Sequence, residues 1–402
     1  MKILIIGTIP QDLTKVKGGV QSVIVNLLEG MKSIPGIEVS VFSLNKEIEK
    51  PSSLQFSSQI KIFYFPFGRI KSVKLGMLFH GRRQLRQFIN QAQPDLIHFQ
   101  GSGSLLLLSL GLDEKKVIIT SHGILGEELK HQKSARPTLN HLLVILIERA
   151  LLRRFRHIVF ISDYSKNYYF QKGLVEKKKA IWRVIYNPVA LRFFASPGQS
   201  FSPLLARKKT GRAIFVYVGA VIPRKGVDVL IRSFEKARSK GLDFELRIIG
   251  GWNSRRYERK LHRIVSRTGL EENISFLGWL DQEGVFAELQ KAAVFVLPSF
   301  QETLPVSVAE ALSLGKIVLA SNVGGVSEMI TNKENGIMFN RGDISELEGI
   351  ILDLLEGRVD FASVASNAKK RALQTYHPES VARLTVDFYK ALRSHPGAES
   401  YI

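Results

Sequence analysis

Short, uninterrupted apolar runs, separated by helix-length periodic segments, restrict this chain more than any other feature. KILIIG (2–7), VSVFSL (39–44), DLIHFQ (95–100), VIITSH (117–122) and HIVFIS (157–162) form a first series. AIFVYVG (213–219), FELRIIG (244–250), ISFLG (274–278), AVFVLPS (293–299) and IVLAS (317–321) form a second. A strand that is apolar at every position is buried on both faces, the condition of a parallel sheet wrapped by helices. Two doubly wound α/β units are therefore expected. Residues 187–212, rich in Pro, Ser and Gly and without clear periodicity, read as the connection between them. PESVARLTVDFYKALR (378–393) has helical spacing and an acidic start, so a C-terminal helix is expected there.

Composition agrees with this and removes several alternatives. At ~150 residues per domain, 402 residues make two or three domains, and 45% apolar content suits a packed chain. With no cysteine there are no disulfides, thiolate metal sites or cysteine nucleophiles, and a reducing cytoplasm is the expected place of work. The apolar run of MKILIIGTIP is too short for a signal-peptide core. The nearly uncharged stretch 101–112 falls short of the ~20 residues that a membrane helix needs. The net charge of +21 is uneven: residues 1–200 hold 29 basic and 13 acidic groups (+16), residues 201–402 hold 28 and 23 (+5). Such a basic first half expects an anionic partner. Arg69, Lys71, Lys74, Arg82, Arg83 and Arg86 are interleaved with Ile70, Val73, Leu75, Met77, Leu78, Phe79 and Leu85. Read as a helix, this stretch suits an anionic membrane surface, or else a solvated basic face of a domain.

Ligands of open parallel sheets bind beyond the carboxyl ends of the strands, so the loops there hold the candidate residues. After the first strand, Lys17-Gly18-Gly19-Val20 leads into a helix, and adjacent glycines let a phosphate approach the backbone; a turn needing positive φ would select the same residues. His122, at a strand end before Gly123, suits a binding or orienting role better than that of a general base, or is simply a loop histidine. In Gly219–Gly226, Arg224 and Lys225 stand together at a helix start, which suggests a compensating anion such as a diphosphate, with a solvated turn as the alternative. The most specific constellation runs from Ser299 to Leu312. Glu302 lies just past a buried strand, Pro305 suits a first helical turn, and Gly315 its end. Glu310 falls among apolar neighbours, where a carboxylate needs a partner such as sugar hydroxyls or an internal ion pair. No Asp-x-Asp pair occurs and the histidines lack metal-ligand spacing, so no metal site is expected.

With these residues in hand the chain resembles the retaining glycosyltransferases of family 4, over nearly its full length. The resemblance rests on Gly18-Gly19, His122-Gly123, Ser162, Asn187-Pro188-Val189, Gly219–Gly226 and the pair Glu302 and Glu310. It implies the GT-B fold, two Rossmann-like domains facing a cleft: an N-terminal acceptor-side domain, 1–190, with 378–402 packing back on it, and a C-terminal nucleotide-sugar domain, 191–377.

The resemblance also implies roles. Lys225 would contact the donor diphosphate, Glu310 the ribose and Glu302 the transferred sugar. The backbone at Thr303, Leu304, Pro305 and Val306 would face the phosphates, and Gly18, Gly19 and His122 would close over the donor. Glu302, His122 and Lys225 are the expected catalytic group. Family members often carry arginine where this chain has Ala220, and Arg224 is the candidate replacement. A UDP- or GDP-sugar donor, no resident cofactor or metal, and a glycan, lipid-linked or small-molecule acceptor are expected. So is a place in polysaccharide biosynthesis, in the cytoplasm or at the inner face of the membrane. The loops 250–257 and 278–282 would set the donor base. A silent partner subunit and a GT-B nucleotide-sugar epimerase are the alternatives; a nucleic-acid-binding role would leave the constellation unexplained.

Overall fold

The computed structural model describes residues 1–16, 18–46, 48–67, 76–101, 103–124, 126–127, 146, 149–177, 179–195, 212–358 and 362–394. Arg69, Ile70, Lys71, Val73, Lys74 and Leu75 of the basic stretch, Lys17, and residues 196–211 of the expected connection lie outside them.

The described residues form two compact units, one from the chain up to Pro188 together with the segment from Pro378, the other from Val189 to His377. In the first, β1 (Lys2–Ile6), β2 (Glu38–Asn45), β3 (Ser52–Ser57), β4 (Ile60–Pro66), β5 (Leu96–Gln100), β6 (Val117–Ser121), β7 (His157–Phe160) and β8 (Ile181–Val184) make one sheet. Their order is β3-β4-β2-β1-β5-β6-β7-β8, parallel except for the β3–β4 pair. Helices α1 (Gly19–Met31), α2 (Arg82–Ala92) and α3 (Asp163–Gln171) belong to this unit.

Burial explains why β1 is apolar throughout. Ile3 and Ile5 pack with Leu27, Leu28 and Met31 of α1, whereas Leu4 and Ile6 pack on the other face with Leu85 and Phe88 of α2. The alternation of a strand sends neighbouring side chains to opposite faces, so both faces need apolar residues.

The second unit carries β9 (Ala213–Val218), β10 (Phe244–Ile249), β11 (Ile274–Gly278), β12 (Val294–Leu297), β13 (Ile317–Ser321) and β14 (Ile337–Phe339). They are ordered β11-β10-β9-β12-β13-β14 and all paired parallel. Its longer helices are α4 (Val227–Arg232), α5 (Arg255–Thr268), α6 (Gln282–Lys291), α7 (Val306–Ser313), α8 (Ile344–Leu355) and α9 (Ala362–Tyr376). Both sheets are doubly wound, and their strand order reverses direction beside β1 in one and between β9 and β12 in the other. Loops leaving strands at such a reversal diverge and open a crevice.

The final helix, α10 (Pro378–Ser394), joins the first unit. Val381, Ala382, Val386, Phe388, Tyr389 and Leu392 enter the same core as Ile3 and Leu28. The approach to α1 is close enough that a Cβ on Gly30 would lie 2.1 Å from the Pro378 carbonyl oxygen. No helix among the described residues is long and apolar enough to cross a membrane.

The basic stretch departs from its expected form. Residues 76–81 wind as a π-turn and only Arg82–Ala92 is α-helical. Met77 and Leu85 are buried in the core, Arg82 donates to the Leu110 carbonyl at 2.8 Å and Arg86 to the same oxygen at 3.5 Å. The apolar side of the pattern therefore serves domain packing. Phe79, 63% exposed, and the exposed Arg83 and Arg86 are among the side chains this stretch offers to solvent.

Candidate active site

The residues singled out in the second half meet at the strand reversal of the second unit. The loop after β9 is brought round by Gly226, whose φ of +67° is the left-handed region. A Cβ there would also stand 2.1 Å from the Pro298 carbonyl oxygen, so the loops after β9 and β12 touch backbone to backbone. They are then laced together. Phe300 N–H donates to the Arg224 carbonyl at 2.8 Å, and Arg224 Nη1 donates to both the backbone and side-chain oxygens of Gln301, each at 3.0 Å. Lys225 Nζ reaches Glu302 Oε1 at 2.5 Å.

Glu302 is 5% exposed and accepts a second hydrogen bond on the same oxygen, from Ser299 Oγ at 2.6 Å. A carboxylate in so little water needs such partners. Lys225 neutralises its charge and the serine helps to orient it. Both bonds fall on Oε1, so Oε2 is the oxygen on which a ligand hydroxyl could be accepted.

Behind this pair, α7 begins immediately after Thr303, Leu304 and Pro305. Pro305 is the residue that precedes the helix, one position earlier than the first-turn placement its type suggests, with φ −70° and extended ψ. The helix presents its positive end toward the laced loops. Buried side-chain donors flank it: Gln301 Nε2 and Thr303 Oγ1 make no hydrogen bond among the described residues. Glu310 stands on the second turn of α7 and is 8% exposed. Burial pushes its carboxyl up to about 8, so at neutral pH it is largely protonated and both donates and accepts.

Gly18, Gly19 and His122 belong to the first unit, at the carboxyl end of its sheet. Gly18, with φ +89°, precedes α1, and Gly19 opens the helix; a Cβ on Gly18 would meet nothing within 4 Å, so the turn conformation is what selects glycine. His122 follows β6 and is half-buried, with Nε2 2.8 Å from Gln100 Oε1. Burial pushes the ring down to about 4, partly offset by the Asn187 amide, and so keeps it neutral. Ser162, one of the resemblance residues, caps α3 through a reciprocal pair of hydrogen bonds with Ser165.

Three contributors were not singled out in the sequence. Ser299 and Gln301 position Glu302 and Arg224, and Gln100 holds His122. Ser299 and Gln301 lie inside the marked segment and could have been suspected from their place just past a buried strand. Gln100, like His98, is a polar residue in a strand that is buried throughout, and that is its one signal. Arg224 also has a structural part: its Nη1 is held by both oxygens of Gln301, so it braces the loop.

Comparison with known proteins bears on the fold and the family. The model of glycosyl transferases group 1 matches residues 206–371 and that of glycosyltransferase family 4 matches residues 17–193. An uncharacterized glycosyltransferase of Methanocaldococcus jannaschii, MJ1178, is 27% identical over 295 residues, 68% of this chain and 74% of its own length. Sucrose-phosphate synthase from Thermosynechococcus elongatus superimposes with a TM-score of 0.81 at 19% identity, over 98% of this chain and 99% of that one. Anabaena Alr3699/HepE, solved in complex with UDP and glucose, does so with a TM-score of 0.71 at 20% identity, over 97% and 100%. The fold is GT-B. The chain belongs to the group 1, family 4 glycosyltransferases and is a glycosyltransferase enzyme.

Proposed function

We propose that this enzyme moves a sugar from a UDP- or GDP-sugar to a hydroxyl of a glycan or lipid-linked acceptor, with retention at the anomeric carbon and without a metal ion. The observation that carries the reading is the meeting of Lys225 and Glu302, 2.5 Å apart, before the positive end of a helix that bears the buried Glu310. A cation and a helix N-terminus suit a diphosphate. Two buried carboxyl groups suit the hydroxyls of a sugar and of a ribose. HepE, similar in fold, was solved with UDP and glucose, which supports a nucleoside-diphosphate donor here.

In the proposed reaction the bond from the anomeric carbon to the diphosphate oxygen breaks. The acceptor oxygen bonds to that carbon on the same face, and its proton passes to a phosphate oxygen of the leaving group. Lys225 and the start of α7 would stabilise the charge that develops on the diphosphate. Glu302, already accepting from Lys225 and Ser299, would hold the sugar in place and is not assigned as a nucleophile. His122, neutral through burial, would act as a hydrogen-bonding group. Among the described residues no three His, Asp or Glu side chains are grouped to hold a metal. The reading locates the enzyme in the cytoplasm, at the inner face of the membrane, where Arg83 and Phe79 would meet anionic lipid.

Incubating the protein with UDP- and GDP-sugars and candidate acceptors in excess chelator, and reading the anomeric configuration of the product by NMR, tests this directly. A retained configuration is expected. An inverted product, or activity that returns only with added magnesium, would overturn the mechanism.

A further inference from the structure

The first unit holds a buried polar chain that leads from the C-terminal helix to His122. On β5, His98 and Gln100 are two positions apart and so share one face of the sheet; Gln100 is opposite Thr120 of β6. His98 is 1% exposed, with Nδ1 2.5 Å from the Tyr389 hydroxyl of α10 and Nε2 2.7 Å from Thr120 Oγ1. Gln100, 4% exposed, has its Nε2 3.4 Å from each nitrogen of that ring and its Oε1 2.8 Å from His122 Nε2.

The proton positions follow from what each group can do. A phenol is a good donor, so Tyr389 O–H donates into His98 Nδ1 and leaves Nε2–H to donate to Thr120. Both ring nitrogens of His98 are then engaged, and the Gln100 amide lies with its Nε2 against the ring, 3.4 Å from each nitrogen, and its oxygen toward His122. An amide oxygen only accepts, so the His122 nitrogen it meets carries a proton. A neutral imidazole holds one proton, and its other nitrogen is an acceptor. His122 Nδ1 makes no hydrogen bond among the described residues, and the Asn187 side chain lies beside the ring.

We propose that Gln100 is the positioning residue of His122. Its oxygen holds the ring as the Nε2–H tautomer, so that His122 offers Nδ1 as an acceptor for a substrate hydroxyl. Tyr389 and Thr120 fix the His98 ring against which the Gln100 amide packs. The tautomer assignment stands on the geometry of the first unit alone; its consequence for turnover rests on the proposed role of His122.

The test separates the two. In protein labelled with 15N only at histidine, long-range correlation spectra read the tautomer of each ring, and His98→Asn and His122→Asn assign the signals. Wild type is expected to show His122 protonated at Nε2. Gln100→Met, equal in length but without an acceptor, should release the ring to a mixture of tautomers, Gln100→Glu should restore the Nε2–H form, and Tyr389→Phe should weaken it. A wild-type His122 protonated at Nδ1, or a tautomer unchanged in Gln100→Met, overturns the proposal; the wild-type spectrum decides even if a variant fails to fold. In turnover, Gln100→Met should lower kcat about tenfold, the loss of one hydrogen bond at the reacting site, with KM little changed and no further loss in a His122→Ala background. A tautomer that moves while kcat does not upholds the positioning and overturns the role of His122 instead.

Discussion

Glu310 makes the stability of the second unit depend on pH in a direction opposite to most carboxylates. Its carboxyl ionises near the ordinary 4.5 in the unfolded chain and at about 8 in the folded one, because burial disfavours the charge. Between those values the native state binds a proton that the unfolded state has lost. Stability from this group is therefore fully present below about pH 4.5 and is lost as pH rises through about 8. At about 1.4 kcal/mol per pH unit, softened by water entering around the charge, the effect is on the order of 2–5 kcal/mol. Glu310→Gln keeps the shape and abolishes the titration. Denaturant unfolding of wild type and variant, without ligand, between pH 5 and 9 measures it. A Trp182→Phe background leaves Trp252 and Trp279, both in the second unit, as the fluorescent reporters. The difference between the two curves should tilt in favour of the glutamine variant as pH rises toward about 8 and level off above it. A flat difference would refute the burial argument. If the ribose meets this carboxyl, UDP binding at pH 7 should also release a proton in wild type and none in the variant, as read by calorimetry in buffers of different ionisation enthalpy.

Lys225→Ala should lower kcat/KM roughly ten- to a hundredfold, the worth of a charged hydrogen bond, and weaken UDP binding while circular dichroism is unchanged; unaltered kinetics would remove the lysine from the site. Gly226→Ala combines a left-handed φ with a Cβ 2.1 Å from the Pro298 oxygen, so a loss of about 2–4 kcal/mol and a clearly lowered melting temperature are expected, and a variant as stable as wild type would show that the two loops can part without cost. Anionic vesicles should bind the protein at low salt and release it at high salt, and Arg83→Glu with Phe79→Ser should weaken that binding; equal co-sedimentation with neutral vesicles would refute the contact.

All ten apolar runs are strands, because a segment buried on both faces must be apolar at each position and that demand is written in the segment itself. Four strands fall outside those runs. β4, IKIFYFP, alternates buried with less buried positions, and β8, IWRV, has only four residues. β3 is exposed over its first four residues and pairs antiparallel at the sheet edge, so SSLQFS carries no run, and β14 has only three residues. The basic stretch that runs into α2 shows the converse: amphipathic spacing serves a membrane face or a core alike, and only the tertiary structure shows Leu85 packed in the core.

The candidate site divides the same way. Glycines beside cations at a strand end, and a carboxylate among apolar helix neighbours, were legible because each conflicts with its local surroundings and so asks for a ligand or a partner. Which partner it finds is a question of topology. Lys225 and Glu302 are 77 positions apart and meet only because β9 and β12 are neighbours in a sheet that leaves them in opposite directions. Tyr389 reaches His98 across 291 positions because the last helix returns to the first unit. The chain alone specifies periodicity, burial demand and turn chemistry, which are properties of neighbouring residues. Hydrogen-bond partners, pKa shifts and the braced Arg224 depend on distances between remote segments, and only the order of strands and the packing of helices determine those.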